Sequence, residues 1–128
     1  MKKKLRCGMP ILIFVFAFLL FRYVLLIGFV PSESMEPTLK AGSVIIAPRL
    51  FDKIRVGDVV IFKHNGKLVV KRIAAIGGNL YTLNGIEYTV PTGKLIVLGD
   101  NSENSYDSRY WDDPYIDESD VIAKWIRK

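Results

Sequence analysis

The chain has one cysteine, Cys7, and one histidine, His64, among its 128 residues. A single thiol this close to the N-terminus excludes a disulfide framework and a cysteine-based metal site. With one imidazole, zinc chemistry is not expected either, and no cofactor is. Acidic residues are absent from the first 30 positions, which carry five of the 18 Lys and Arg. The remainder holds 13 residues of each sign, so the formal charge of +5 belongs to the N-terminal segment. It gives no ground for a nucleic-acid partner. A small-x-small cleavage site is missing after the N-terminal apolar run, which argues against a removed secretory leader. Helical periodicity is missing beyond that run.

From Pro10 to Val30 the chain reads PILIFVFAFLLFRYVLLIGFV, with Arg22 as its one charge. As a helix this run would be roughly 32 Å long, close to the ~30 Å thickness of bilayer hydrocarbon. Lys2, Lys3, Lys4 and Arg6 precede it and predict a cytoplasmic N-terminus. The expected organisation is a cytoplasmic tail over 1–8, a transmembrane anchor over 9–30 and an extracytoplasmic β-domain over 31–128. Length allows one such domain. Arg22 is costly at mid-helix unless it snorkels or faces protein or water. It fits a tilted anchor, or residues 23–30 that already pack on the domain. Cys7 on the cytoplasmic side is either inert or lipid-modified.

Residues 31–128 read as mainly β. A short β-branched run occupies 43–48. Residues 57–78 form two apolar runs around Asn65–Gly66, and 80–90 repeat the device around Asn84–Gly85, both hairpin signals. Runs at 94–99 and 120–128 add further strands. Many short strands with turns between them predict a small, partly closed β-barrel or sandwich. Residues 99–120 are too long for a turn, and Tyr106, Tyr110, Trp111 and Tyr115 mark them as an ordered loop packed on the sheet.

Ser32 and Ser34 lie just beyond the apolar run, and a serine nucleophile needs a base. His64 sits at a hairpin tip, where side chains are solvated, and is a poor candidate for a Ser-His-Asp site. Lys71 lies in the most apolar strand. Val69, Lys71 and Ile73 share one face of it, Val70, Arg72 and Ala74 the other. A buried lysine has a lowered pKa and can act as a neutral base. The strand by itself also fits two ordinary cations at a sheet edge.

Four segments in order resemble the bacterial type I signal peptidases, membrane endopeptidases with a Ser-Lys dyad, in their short single-anchor form. PSESMEPTL (31–39) is similar to the nucleophile box, GDVVIF (57–62) to the structural strand that follows, VVKRIAAIGG (69–78) to the general-base box and GDNSENSYDSRYW (99–111) to the C-terminal box. The resemblance implies a signal-peptidase-type β-fold behind one N-terminal transmembrane helix. It implies Ser34 as nucleophile, Lys71 as general base, Ser32 with the Ser34 N–H as oxyanion hole and Ser105 as the group that orients the lysine. Asp100, Arg72, Asp107 and Arg109 become structural supports, with Met35 and Pro37 fixing the chain at the nucleophile. The implied partners are exported preproteins cut after Ala-x-Ala-type sites, the lipid bilayer and the protein-export machinery. The implied location is the outer face of the cell membrane. Ala75, Gly77, Asn79, Ser102 and Asp112 depart from the family pattern and bear on loop geometry, not on the reaction type. A specialised maturation peptidase of a conjugation or dedicated secretion system would use the same dyad. An anchored β-domain that only binds would need the four matches to be coincidence.

Overall fold

A computed structural model describes the backbone of residues 2–126 and the side chains of residues 8–126. The expectations for Cys7 and for the basic side chains before it lie outside the described residues. One helix, α1 (Lys2–Tyr23), precedes nine strands: β1 (Leu25–Phe29), β2 (Val44–Pro48), β3 (Val59–His64), β4 (Lys67–Ile76), β5 (Leu80–Leu83), β6 (Ile86–Thr89), β7 (Lys94–Leu98), β8 (Ile116–Asp117) and β9 (Val121–Trp125). The mainly β expectation holds.

The central sheet has the order β8-β7-β4-β3-β9, and β1-β2 and β5-β6 form two further pairs. All pairings are antiparallel. Among the described residues the sheets form no closed barrel but three antiparallel sheets. Both Asn-Gly turns behave as their chemistry requires. Asn65 and Gly66 have φ of 51° and 76°, Asn84 and Gly85 of 50° and 81°. Two successive positive φ values match the right-handed twist of the flanking strands.

β3 and β4 lie at the middle of the central sheet, covered on both faces. Val59 and Ile61 point into a cluster with Leu26, Met35 and Ile45. Val60 and Phe62 point the other way, into a cluster with Ile73, Leu95 and Val97. Burial on both faces is why this strand reads as continuous apolar sequence rather than as an alternation.

The apolar run of residues 10–30 is divided. α1 ends at Tyr23, and Leu25–Phe29 pairs with β2 from Leu25↔Pro48 to Phe29↔Val44. Pairing sends Leu26 and Val30 into the core and leaves Ile27 and Phe29 exposed. The cation that was awkward at mid-anchor therefore sits in the last helical turn, where it complements the helix dipole. Arg49, just after β2, caps the helix end: its N–H meets the Val24 carbonyl at 2.6 Å and its Nε the Phe21 carbonyl at 3.0 Å. The uncharged stretch between Arg6 and Arg22 is about 22 Å long as helix, short of the ~30 Å of a bilayer core. Accordingly, among the described residues no helix is long and apolar enough to cross a membrane, and the transmembrane part of the fold expectation is not met by α1 on its own.

Candidate active site

The loop carrying Ser32 and Ser34 leaves β1 and returns to β2. It is closed at its base by hydrogen bonds from Val30 N to Ser43 O (2.9 Å) and from Gly42 N to Val30 O (2.7 Å). Within it, Leu39 N donates to Met35 O at 2.9 Å. Met35 and Leu39 are 1 % and 5 % exposed and join the core beside Leu26 and Ile45. Burial of Met35 thus pins the residue next to Ser34. Pro37 is exposed and follows a cis peptide bond from Glu36.

Ser32 Oγ lies 3.2 Å from Ser34 Oγ and accepts from Ser34 N at 3.4 Å. Two donors, a hydroxyl and a backbone N–H, therefore stand next to the Ser34 side chain. Ser34 itself is buried. An apolar cavity of about 220 Å³ is lined by Ser32, Ser34 and Lys71 together with Met35, Ile61 and Val69. The two residues expected to form a dyad thus open onto the same space.

Lys71 sits on β4 opposite Val60, in the interior of the sheet rather than at its edge. It is 4 % exposed, whereas its neighbour Arg72 is half-buried. The reading of this strand as two solvated edge cations is thereby corrected. Burial pushes the Lys71 amine below the ordinary lysine range; the Asp107 carboxylate opposes that shift and the Arg109 guanidinium adds to it. Removing water from around an ammonium penalises the charged form, which is how an amine becomes a base near neutral pH.

Two networks hold this arrangement. In the first, Asp107, fully buried, accepts from Ser105 Oγ (2.7 Å), Gly99 N (2.8 Å) and Arg109 N (3.2 Å), Nε (2.9 Å) and Nη2 (2.6 Å). Burial pushes its pKa up, but the hydrogen bonds from Arg109, Gly99 and Ser105 together outweigh it and hold the carboxyl below its usual value. Ser105 spends its proton on Asp107, so its oxygen lone pairs stay available to an N–H donor. In the second, Asp100 receives a fork from Arg72 (Nε to Oδ1 and Nη2 to Oδ2, both 2.8 Å) and a short hydrogen bond from Thr38. The Arg72 fork is the main reason the Asp100 carboxyl is lowered.

Sequence reasoning left out three residues here. Gly99 is packed so closely that a Cβ would lie 2.0 Å from Ser105 Oγ and 2.7 Å from Ser34 O. Asn101 ties the loop to the nucleophile segment, with its N–H on Ser34 O (2.8 Å) and its amide on Glu33 O (3.1 Å). Thr38 reaches Asp100 across the same seam. All three lie inside the two boxes quoted above, so the signal was present without its spatial meaning. His64 is not a solvated turn residue; it stacks on Trp111 with ring centroids 4.0 Å apart, and it does not line the Ser34 cavity.

Comparison with known proteins places the chain in a family. The family described as "Signal peptidase, peptidase S26" matches residues 4–84 and 79–127. Probable signal peptidase I-1 of Synechocystis sp. is 29 % identical over 76 % of the chain and 68 % of its own length. Signal peptidase I of Leptolyngbya laminosa is 27 % identical over 77 % and 65 %. Probable thylakoidal processing peptidase 2 of Arabidopsis thaliana is 35 % identical over 64 % and 32 %. The chain therefore spans about two thirds or less of the length of these curated relatives.

Proposed function

Because the chain belongs to the signal peptidase family, peptidase S26, we propose that it is a membrane-bound serine endopeptidase that removes N-terminal signal peptides from exported preproteins. The observation that carries the reading is a lysine 4 % exposed in the cavity that it shares with Ser34. Lys71 Nζ, neutral at rest, takes the proton of Ser34 Oγ as that oxygen attacks the scissile carbonyl. The oxyanion is met by the Ser34 N–H and by the Ser32 hydroxyl, which turns from Ser34 Oγ to the substrate oxygen. Losing one such donor typically costs ~10²–10³ in rate. Lys71 then protonates the leaving amine, and an ester to Ser34 remains. A water gives its proton to Lys71 Nζ and attacks the ester; the ester C–O bond breaks, the ammonium returns the proton to Ser34 Oγ, and the acyl product leaves as a carboxylic acid. One residue serves as base and acid because burial has lowered its pKa from the ordinary lysine range, so the neutral amine is available to take up a proton and returns it more readily. Ser105 aims the amine, while the Asp107–Arg109 and Asp100–Arg72 pairs support the loop.

In this reading α1 anchors the chain with its N-terminus in the cytoplasm and the β-domain on the outer face. The apolar length that α1 lacks is supplied by the exposed face of the β1-β2 pair, where Ile27 lies opposite Ile46 and Phe29 opposite Val44. A precursor would lie extended in the Ser34 cavity, with small residues of the Ala-x-Ala type before the cut and delivery by the export machinery.

The test is incubation of the detergent-solubilised protein with an Ala-x-Ala precursor, beside Ser34→Ala, with the cut read by mass spectrometry. One cut directly after that motif, lost in the variant, is expected. Cleavage that survives Ser34→Ala refutes the assignment. Turnover of one dedicated precursor but not of a generic one identifies a specialised maturation peptidase with the same dyad.

A further inference from the structure

Where α1 meets the β-domain, two cavities share Arg22 and Arg49. One is apolar and follows the helix along Phe14, Ala17, Phe18 and Phe21. The other, about 530 Å³, is mixed: it adds Lys63 and Asp120 to the same two arginines, beside Leu26, Leu68 and Ile122. Among the described residues, Arg22, Arg49 and Lys63 form no ion pair with a carboxylate. Arg49 commits its Nε to the Phe21 and Leu25 carbonyls at 3.0 and 3.2 Å, which fixes the guanidinium at the helix end. Among the described residues, neither of its Nη groups has a protein acceptor. Three cations face one carboxylate. Like charges repel, so a cluster that the protein leaves unneutralised favours an anion from outside.

An anion beside an apolar groove describes an amphiphile. We propose that this junction binds one phospholipid with a net negative headgroup, its phosphate among Arg22, Arg49 and Lys63 and an acyl chain along Phe14, Phe18 and Phe21. The proposal rests on the membrane reading of α1. Guanidinium forks match phosphate oxygens in geometry as well as charge. Arg22, in the last helical turn, closes the apolar groove at the end where Arg49 and Lys63 lie. A small soluble anion would leave the phenylalanine groove unfilled. A zwitterionic headgroup would bring its own ammonium beside three cations, so the pocket selects an anionic lipid.

The test uses the full chain in vesicles of phosphatidylcholine alone or mixed with phosphatidylglycerol, extracted mildly, with retained lipid counted by native mass spectrometry. One retained phosphatidylglycerol is expected in preference to phosphatidylcholine. Arg22→Gln and Lys63→Gln, both at exposed positions, leave the helix-capping bonds of Arg49 in place. Each should lower retention about five-fold and the double variant about 25-fold, with precursor cleavage in detergent unchanged. Equal retention of both lipids, or no loss in the double variant, overturns the site. Displacement of the lipid by millimolar glycerol phosphate shows a soluble-phosphate site and overturns the lipid assignment. Failure to associate with vesicles of either composition overturns the membrane reading and this site together, whereas association without lipid selectivity overturns the site alone.

Discussion

Asp107→Asn keeps the side-chain shape and removes one charge from the centre of the candidate site. The carboxylate is fully buried, and its Oδ2 accepts from Ser105, Gly99 and Arg109 Nη2, its Oδ1 from Arg109 N and Nε. An amide nitrogen at the Oδ2 position faces the Gly99 N–H and Arg109 Nη2; at the Oδ1 position it faces two Arg109 donors. Ser105 can turn its hydroxyl, but the other donors cannot become acceptors. Either orientation therefore breaks two hydrogen bonds and leaves Arg109, 19 % exposed, without its counter-charge. Breaking a pair this buried costs about 3–5 kcal/mol. In a domain of this size that lowers Tm by on the order of 10–20 °C.

The same substitution has a second, chemical readout. In the proposed mechanism the active form of Lys71 is neutral, so kcat/KM of the wild type should rise with pH through the lowered lysine pKa. Asp107 holds that pKa up, so removing its charge moves the rising limb to lower pH. Arg109 holds it down, so Arg109→Gln moves the limb to higher pH. Both variants destabilise, yet their limbs shift in opposite directions, which general loosening does not produce. The assay is precursor cleavage from pH 5 to 9 at a temperature where both variants are folded, beside thermal melts. Limbs that stay in place, or that move together, refute Lys71 as the titrating base. A melting change worth less than about 1 kcal/mol would mean that the pair is solvated in solution.

Lys71→Met should reduce the rate by ~10²–10⁴ while raising stability, because an apolar chain replaces a buried amine. Since the folded pKa is lowered, the unfolded state binds the proton more readily between that pKa and about 10.4. The wild type should thus gain stability as pH rises through that window, and the gap to Lys71→Met, widest below the folded pKa, should close in chemical denaturation across pH; a constant gap refutes the buried charge. Gly99→Ala forces a methyl within 2.0 Å of Ser105 Oγ and 2.7 Å of Ser34 O, so a fall of ~10² or more in kcat is expected from displacement of the reacting groups, and wild-type kinetics would show that the contact relaxes freely. His64→Ala removes a stack on Trp111 at 4.0 Å, which should cost roughly 1 kcal/mol in a thermal melt and leave kcat/KM unchanged; a large rate loss would reopen the histidine as base.

The two Asn-Gly hairpins were legible because the turn needs two positive φ values that few residue pairs accept. The continuous burial of β3 was legible as an apolar run. β1 was not, because Leu25–Phe29 is equally apolar as the end of a membrane helix and as a strand; only pairing with residues 44–48 decides between them. Lys71 was found as a cation in an apolar strand, but its place in the sheet interior depends on β7 closing the far side of β4, which no local pattern encodes. The residue types of the candidate site followed from motif resemblance. The closeness of Gly99 to the Ser34 carbonyl and the hydrogen bond from Thr38 to Asp100 depend on residues far apart in the chain, and a motif carries no distances.

Those distant ties explain how a serine on a loop and a lysine on a strand come to share a cavity. Ser34 is held through its carbonyl by Asn101 N, and Glu33 by the Asn101 amide. Arg72, adjacent to Lys71 on β4, is held by Asp100, which also receives Thr38 from the nucleophile segment. Residues 100 and 101 therefore clamp both partners at once, and Gly99 beside them, having no Cβ, leaves room for both the Ser105 hydroxyl and the Ser34 carbonyl. The third segment that makes these ties contributes neither group. Such a clamp works only if that segment is itself rigid, and the five hydrogen bonds converging on the buried Asp107 carboxylate supply the rigidity. The charge that steadies the loop is also the one that tunes the amine, so stability of the clamp and basicity of Lys71 cannot be altered independently at Asp107.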